Sequence, residues 1–317
     1  MRIFRSTALG AALLAMALLA ASCGEESGGG GEGDGGDGAT IASQLTLGGP
    51  PECPERPFCI PGLKESYGVE FGEFLPLDVG GPLTVEALKN GDIDVGLLFS
   101  TSSVIGAEGW VVLEDDKSLQ TAENITPVVS TEVVDDAITE RLNAISAALT
   151  TENITELNGR VEIDGEDPAD VAADFLESEG LLGGASGSGE LTVGAVAFAE
   201  NQIVAEMYAQ SLEDAGYTVD RQTTLESREA LQPAIESGEV HIAPEYLGSL
   251  LLFLDPEAAA GGDPDENRSL LEPLLADAGQ TLLESSAAND TNAFVVTQET
   301  ADEFGLTTTS DLGEPAE

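Results

Sequence analysis

A chain of 317 residues is long enough for about two compact units, and its 42% apolar content is enough to build a core, which argues against global disorder. The formal charge is −48, from 11 basic and 59 acidic residues. Such a surface argues against a nucleic-acid backbone as partner, since that needs a basic stripe, and against adhesion to anionic lipid through charge. It is compatible with attracting a cation and equally with adaptation to high salt.

The first expected element is a sorting signal. Arg2 and Arg5 precede an apolar run over 8–21 that is too short to span a membrane comfortably. The run ends in LLAASC, with small residues just before Cys23. This resembles a bacterial lipoprotein signal, which implies removal of 1–22 and lipidation of Cys23. It departs from that pattern at Ala20, where leucine is commonest. An ordinary secretory signal with an incidental cysteine is the other reading. Residues 23–44 are Gly-rich and acidic and read as a tether. Acyl chains would then attach the protein to a membrane without a spanning helix.

Cys53 and Cys59 bracket the loop CPERPFC. Outside the reducing cytoplasm this spacing favours a disulfide. A structural metal site is the rival, but His241 is the only histidine and two thiols alone make a poor zinc site.

Strands are expected near 45, near 73, and over 94–99, 110–114 and 126–129. Further strands are expected over 191–196, 217–222, 239–243 and 293–297. Helices are expected near 61–67, 83–90, 132–149, 168–180, 200–215, 227–238, 246–254 and 267–279. This alternation predicts α/β layers with largely parallel sheets. GGASGSGE at 183–190 reads as a linker. ALKNGDIDVG (87–96) and AIESGEVHIA (234–243) echo each other as helix end, glycine stop and strand, a weak sign of two similar lobes.

Enzyme chemistry is the weaker class. The chain has no GxSxG elbow, no phosphate loop ending in Gly-Lys-Ser/Thr and no HExxH. A single histidine, His241, removes most Ser–His and Cys–His chemistry, and it is expected to pack rather than act as a base. Carboxylates are too numerous for any pair to carry a signal. No cofactor is expected.

Several long blocks carry a family resemblance. They are LGGPPECPERPFCIPGLKESYGVEF (47–71), LDVGGPLTVEALKNGDIDVGLLFST (77–101), TTENITELNGRVEIDGEDPADVAADFL (150–176), TVGAVAFAENQIVAEMYAQSLEDAGYTVDR (192–221) and SREALQPAIESGEVHIAPEYLGSLL (227–251). Together they resemble the substrate-binding proteins of osmoprotectant ABC transporters, which capture glycine betaine, choline and related quaternary ammonium compounds. The blocks stand in reversed order, so the chain looks circularly permuted, with 183–190 joining the family termini; half of each copy of a tandem duplication is the alternative. The resemblance implies a two-lobed, type II periplasmic-binding-protein-like fold, each lobe a mostly parallel sheet flanked by helices. Carried onto this order, lobe one would be 45–130 plus 289–317, and lobe two 131–288.

The resemblance also implies a ligand site. Tyr246 falls on a cage tyrosine and Ser249 on a neighbouring hydroxyl. Phe99 sits where another aromatic is frequent. Glu123 and Asn292 occupy positions that the family fills with tyrosine, and Asp290 shares the segment of Asn292. Arg56 matches a basic residue that meets the betaine carboxylate, and Asn201 falls near a polar contact. A lysine of the family is absent, with Val196 in its place. Aromatic faces hold a cation with no N–H at about 0.5–2 kcal/mol each. Tyr67, Tyr208, Tyr217 and Trp110 are expected to pack. The implied function is a monomeric, lipid-anchored solute-binding protein on the outer face of the cell membrane, delivering a cationic or zwitterionic osmolyte to an ABC permease. An extracytoplasmic ligand sensor with altered amine specificity and no transport role is the alternative.

Overall fold

The computed structural model describes residues 39–78 and 80–316. The sorting signal, Cys23 and most of the tether lie outside the described residues. Among the described residues no helix is long and apolar enough to cross a membrane.

The first lobe begins with strand β1 (Thr46–Gly49), and then the short helix α1 (Ile60–Gly62) runs into a wide helical turn over Leu63–Tyr67. Cys53 and Cys59, with Cα atoms 5.3 Å apart, are joined as a disulfide that closes the loop between β1 and α1. Strand β2 (Glu73–Pro76), helix α2 (Pro82–Asn90), strand β3 (Val95–Phe99), helix α3 (Ser103–Glu108) and strand β4 (Val111–Val112) follow. The chain then crosses to the second lobe. There it forms β5 (Ile125–Ser130), α4 (Asp136–Ala148), α5 (Thr151–Glu162), α6 (Pro168–Ser178), β6 (Glu190–Val196), α7 (Ala199–Ala215) and β7 (Thr218–Leu225). The same lobe continues through α8 (Arg228–Glu236), β8 (Ile242–Tyr246), α9 (Leu247–Leu254), α10 (Pro264–Asp277) and β9 (Gln280–Leu282). A second crossing returns the chain as β10 (Asn292–Val296) and α11 (Gln298–Phe304).

The sheet orders are β2-β1-β3-β10-β4 and β7-β6-β8-β5-β9. They follow one scheme, in which three parallel strands are followed by a strand inserted after a crossing from the other lobe. That order is the type II arrangement of two-lobed binding proteins. β10 runs antiparallel to β3 and β4, and β5 antiparallel to β8 and β9. The sheets are therefore mixed rather than mostly parallel, because a strand arriving from the opposite lobe enters its new sheet from the other end. β5 also moves a boundary: 125–130 was expected in lobe one, but it pairs inside the second sheet.

Helices cover both faces of each sheet, so the central strands are buried on both sides. β5 and β8 are buried along their whole length. One core of the second lobe joins β5 and β6 to α4, α6 and α7; a second lies under α9 and α10. The longest helix, α7, buries twelve of its 17 residues, including Glu200 and Asn201.

The sequence echo falls on equivalent elements. α2 ends at Gly91 (φ +73°) and leads to β3, while α8 is followed by Gly238 (φ +75°) on the way to β8. Both glycines take the left-handed conformation that a Cβ would penalise. The 183–190 segment joins α6 to β6 within one lobe and has fixed partners. Gly187 N donates to Ala215 O (3.0 Å), and Arg141 Nε donates to Ala185 O (3.1 Å). His241 accepts a hydrogen bond at Nδ1 from Thr192 N (2.9 Å) and stitches the start of β8 to β6.

Candidate functional site

The site grows out of the strand ends that face the other lobe. β8 ends in Glu245–Tyr246 and runs straight into α9, which carries Ser249. β6 ends at Val196, and one turn later α7 places Glu200 in its first turn, where a negative charge is favourable. From α5 come Asn158 and Glu162, four residues apart and so on one face. The first lobe adds Phe99 at the end of β3, Thr101 just after it, and Arg56 from the disulfide loop. The two crossings supply Glu123, just before β5, and Asp290, just before β10. They are tied side by side: Glu123 N donates to Asn289 Oδ1 (2.6 Å) and Asp290 N to Glu123 O (3.2 Å).

These groups enclose a cavity of about 570 Å³. All eight expected site residues line it: Tyr246, Ser249, Phe99, Glu123, Asp290 and Asn292, together with Arg56 and Asn201. Tyr67, Tyr208, Tyr217 and Trp110 do not. Tyr67 and Tyr217 donate to Asp115 and Asp135, Tyr208 is fully buried, and Trp110 packs against the core beside α2 and β3.

The details revise several roles. Tyr246 is buried, and its hydroxyl donates to Glu200 Oε1 (2.8 Å). Its ring stands 6.1 Å from that of Phe198 at 29°. Phe198 therefore adds an aromatic wall that the resemblance did not assign. Asn201 is committed to the scaffold: its Oδ1 accepts from Val196 N (2.8 Å) and its Nδ2 donates to Pro244 O (3.0 Å). Asn292 donates to Gln120 Oε1 (3.0 Å). Arg56 is half exposed and sits 3.7 Å from Glu52.

Glu123 is held in a fork. Its Oε1 accepts from Thr121 Oγ1 (2.6 Å) and its Oε2 from Ser249 N (2.9 Å). A Cβ on Gly248 would stand 2.7 Å from Thr121 Cβ and 2.9 Å from that Oε1, so glycine is what admits this hydrogen-bonded pair. Arg228, at the start of α8, grips Glu245 through Nε and Nη2, the shortest contact being 2.7 Å, and also donates to Ser249 Oγ (2.9 Å). Glu245 is thereby neutralised by an ion pair with several hydrogen bonds.

The remaining acids have no such direct ion pair, although the charge of Arg228 still acts on Glu123. Among the described residues, no arginine or lysine comes within ion-pairing distance of Glu200, Asp290, Glu162 or Glu123. Burial raises the carboxyl of Glu200 above its usual range; hydrogen bonds from Asn158 and Tyr246 pull it down, and Glu162 pushes it up. Burial also raises Asp290, well above the ordinary range, with the charge of Glu200 adding to the effect. Burial raises Glu123, against the hydrogen bonds from Thr121 and Ser249 and the charge of Arg228. Stripping water from a carboxylate favours its neutral form unless a cation arrives to pair with it. Among the described residues, no group of three His, Cys, Asp or Glu side chains is arranged to hold a metal ion.

Sequence reading missed Glu200, Glu245, Arg228, Asn158 and Glu162. Asn158 and Glu162 were missed because α5 itself was not expected. Its signal was present, since Thr150 and Asn153 form a reciprocal capping box at its start.

A family model described as the substrate binding domain of ABC-type glycine betaine transport systems matches residues 36–178 and 189–317. A glycine betaine-binding protein of Escherichia coli, YehZ, is 25% identical over 133 residues, 40% of this chain and 44% of the relative. A glycine-betaine-binding protein of Pseudomonas aeruginosa is 34% identical over 143 residues, 42% of this chain and 43% of the relative. The matched stretch thus spans less than half the length of these curated relatives. Among solved structures, the probable amino-acid ABC transporter extracellular-binding protein ytmK of Bacillus subtilis aligns over 84% of this chain and 88% of its own, at 10% identity and a TM-score of 0.43.

Proposed function

Because the chain belongs to the family of substrate binding domains of ABC-type glycine betaine transport systems, we propose that it captures a small ammonium osmolyte between its lobes and delivers it to an ABC permease outside the cytoplasm. The observation that carries this reading is the cavity at the lobe crossings, where Phe99, Phe198 and Tyr246 meet Glu200 and Asp290, two acids with no ion-pair partner among the described residues. An apolar pocket with a few convergent polar groups is the usual form of a small-molecule site. Aromatic faces and carboxylates together suit an organic cation. Hinge closure of the lobes would bury it, and the closed form is what a permease would engage.

Two further parts of the proposal concern the chain's ends. Lipidation at Cys23 would hold the protein on the outer face of the membrane. Circular permutation would account for the reversed order of the family blocks.

Isothermal titration with glycine betaine, choline, carnitine and a panel of simple amines tests the capture reading. Saturable heat with at least one small cation is expected. No heat with any of them would remove it. Metabolic labelling with a fatty-acid analogue tests the anchor, with label expected on the native protein and absent from Cys23→Ser.

A further inference from the structure

Several acceptors line the cleft. Glu200, Asp290 and the more exposed Glu162 do so together with Asn158, from α7, the second crossing and α5. Their donors within the protein are few. Glu200 receives Tyr246 Oη (2.8 Å) and Asn158 Nδ2 (3.0 Å). Asp290 receives Thr101 Oγ1 (2.7 Å), and Glu162 receives Ser103 Oγ (2.7 Å). An ionised carboxylate has about four acceptor positions, so much of this capacity is unused.

Asn158 supplies an independent sign. The residue is 3% exposed, and its side-chain nitrogen lies between Thr101 and Glu200, both of which line the cavity. Nδ2 donates to Thr101 O (3.2 Å) and to Glu200 Oε2 (3.0 Å), two acceptors that fix which end of the amide is nitrogen. Oδ1 has no hydrogen-bond partner. A buried acceptor left without a donor is costly, and such groups in a folded protein call for an explanation.

A quaternary ammonium cannot provide one. It has no N–H, so it leaves Asn158 Oδ1 and the carboxylate lone pairs without donors and relies on aromatic faces alone. Here those faces are Phe99, Phe198 and Tyr246, the last with its hydroxyl held by Glu200. An ammonium with hydrogens offers directional, charge-assisted bonds to the same oxygens.

We propose that this cleft selects a cation bearing N–H bonds, a protonated primary or secondary amine, over its fully N-methylated counterpart. The inference rests on the reading that the cleft captures a small organic cation, and it narrows that class. A site built to bond N–H groups rejects an analogue without them because its buried acceptors go unpaired.

The test is a methylation ladder titrated calorimetrically into the full chain. One ladder runs from ethanolamine through its N-methyl and N,N-dimethyl forms to choline; another runs from glycine through sarcosine and dimethylglycine to glycine betaine. Affinity is expected to fall about tenfold or more from the members with N–H bonds to the quaternary end of at least one ladder. Equal or tighter binding of the quaternary end on every ladder that binds would overturn the inference and leave capture by the cleft standing. No binding anywhere on either ladder would remove both. Asn158→Leu should shrink the ratio of N–H to quaternary affinity by about tenfold, whatever it does to affinity as a whole. An unchanged preference in that folded variant would contradict the part assigned to Asn158, and the wild-type ladder decides the proposal if the variant does not fold.

Discussion

The two lobes share one strand order and one helix–glycine–strand unit, yet they bring different chemistry to the cleft. In the first lobe, the segment after β1 is a disulfide loop that offers Arg56, half exposed at the rim. In the second, the equivalent segment after β6 enters α7 and buries Glu200. The end of β3 supplies Phe99, 37% exposed, whereas the end of β8 supplies buried Glu245 and Tyr246. The same scaffold thus produces an open, partly apolar wall on one side and a largely buried, acidic one on the other. Burial matters more than the count of acids. A carboxylate in water is screened, while one in a closed cleft interacts strongly with whatever charge enters.

Substitutions that remove the second lobe's charge should have the largest effect. Glu200→Gln keeps the shape and removes one uncompensated negative group. It should weaken cation binding by about 2–3 kcal/mol and leave the ligand-free protein at least as stable, read by calorimetry and thermal melting. Arg56→Ala should weaken cation binding far less, and an equal loss in the two variants would erase the asymmetry between the lobes. Next is the first lobe's own constraint. Cys53→Ser should cost about 2 kcal/mol of stability, because the disulfide closes a short loop in the unfolded chain; chemical denaturation measures it. Tyr246→Phe removes the donor to Glu200 and should shift cation affinity by on the order of 1 kcal/mol. The direction of that shift tells whether the hydroxyl mainly supports Glu200 or competes for it.

The smallest expected effect concerns pH. Glu200, Asp290 and Glu123 are all raised in the folded, ligand-free protein, chiefly by burial. A raised acid contributes stability below its unfolded pKa and loses it as pH climbs through the folded one. The melting temperature of the ligand-free protein should therefore decline as pH rises above the ordinary carboxylate range. A bound cation should oppose that decline by pairing with the ionised forms. The groups facing these acids, namely Glu162, Tyr246 and the Arg228–Glu245 pair, should temper the slope without reversing it.

Much of this architecture is legible in the residues. Short β-rich runs such as VGLLF and ITPVV carry their strand character in composition, and the nine expected strands all appear. The direction of the sheets was not legible, because the two inserted strands arrive from the opposite lobe and nothing local records that. β9, of three residues, is too short to leave a pattern. Helix α3 is a six-residue segment, and α11 follows β10 directly with one buried residue. At the site, aromatic positions could be carried over one by one from the resemblance. The acids could not: with 59 acidic residues, the few that fold into the cleft look no different from those that meet water. What separates them is burial without a partner, a property of three dimensions.

The most direct test of a buried, acidic trap is the proton count on binding. Titration of the tightest-binding cation near pH 6, repeated in buffers of different ionisation enthalpy, gives the number of protons released. The account predicts net release, as raised carboxyls in the cleft ionise to pair with the incoming charge. Saturable binding with the same heat in every buffer, and so no proton exchanged, would contradict it.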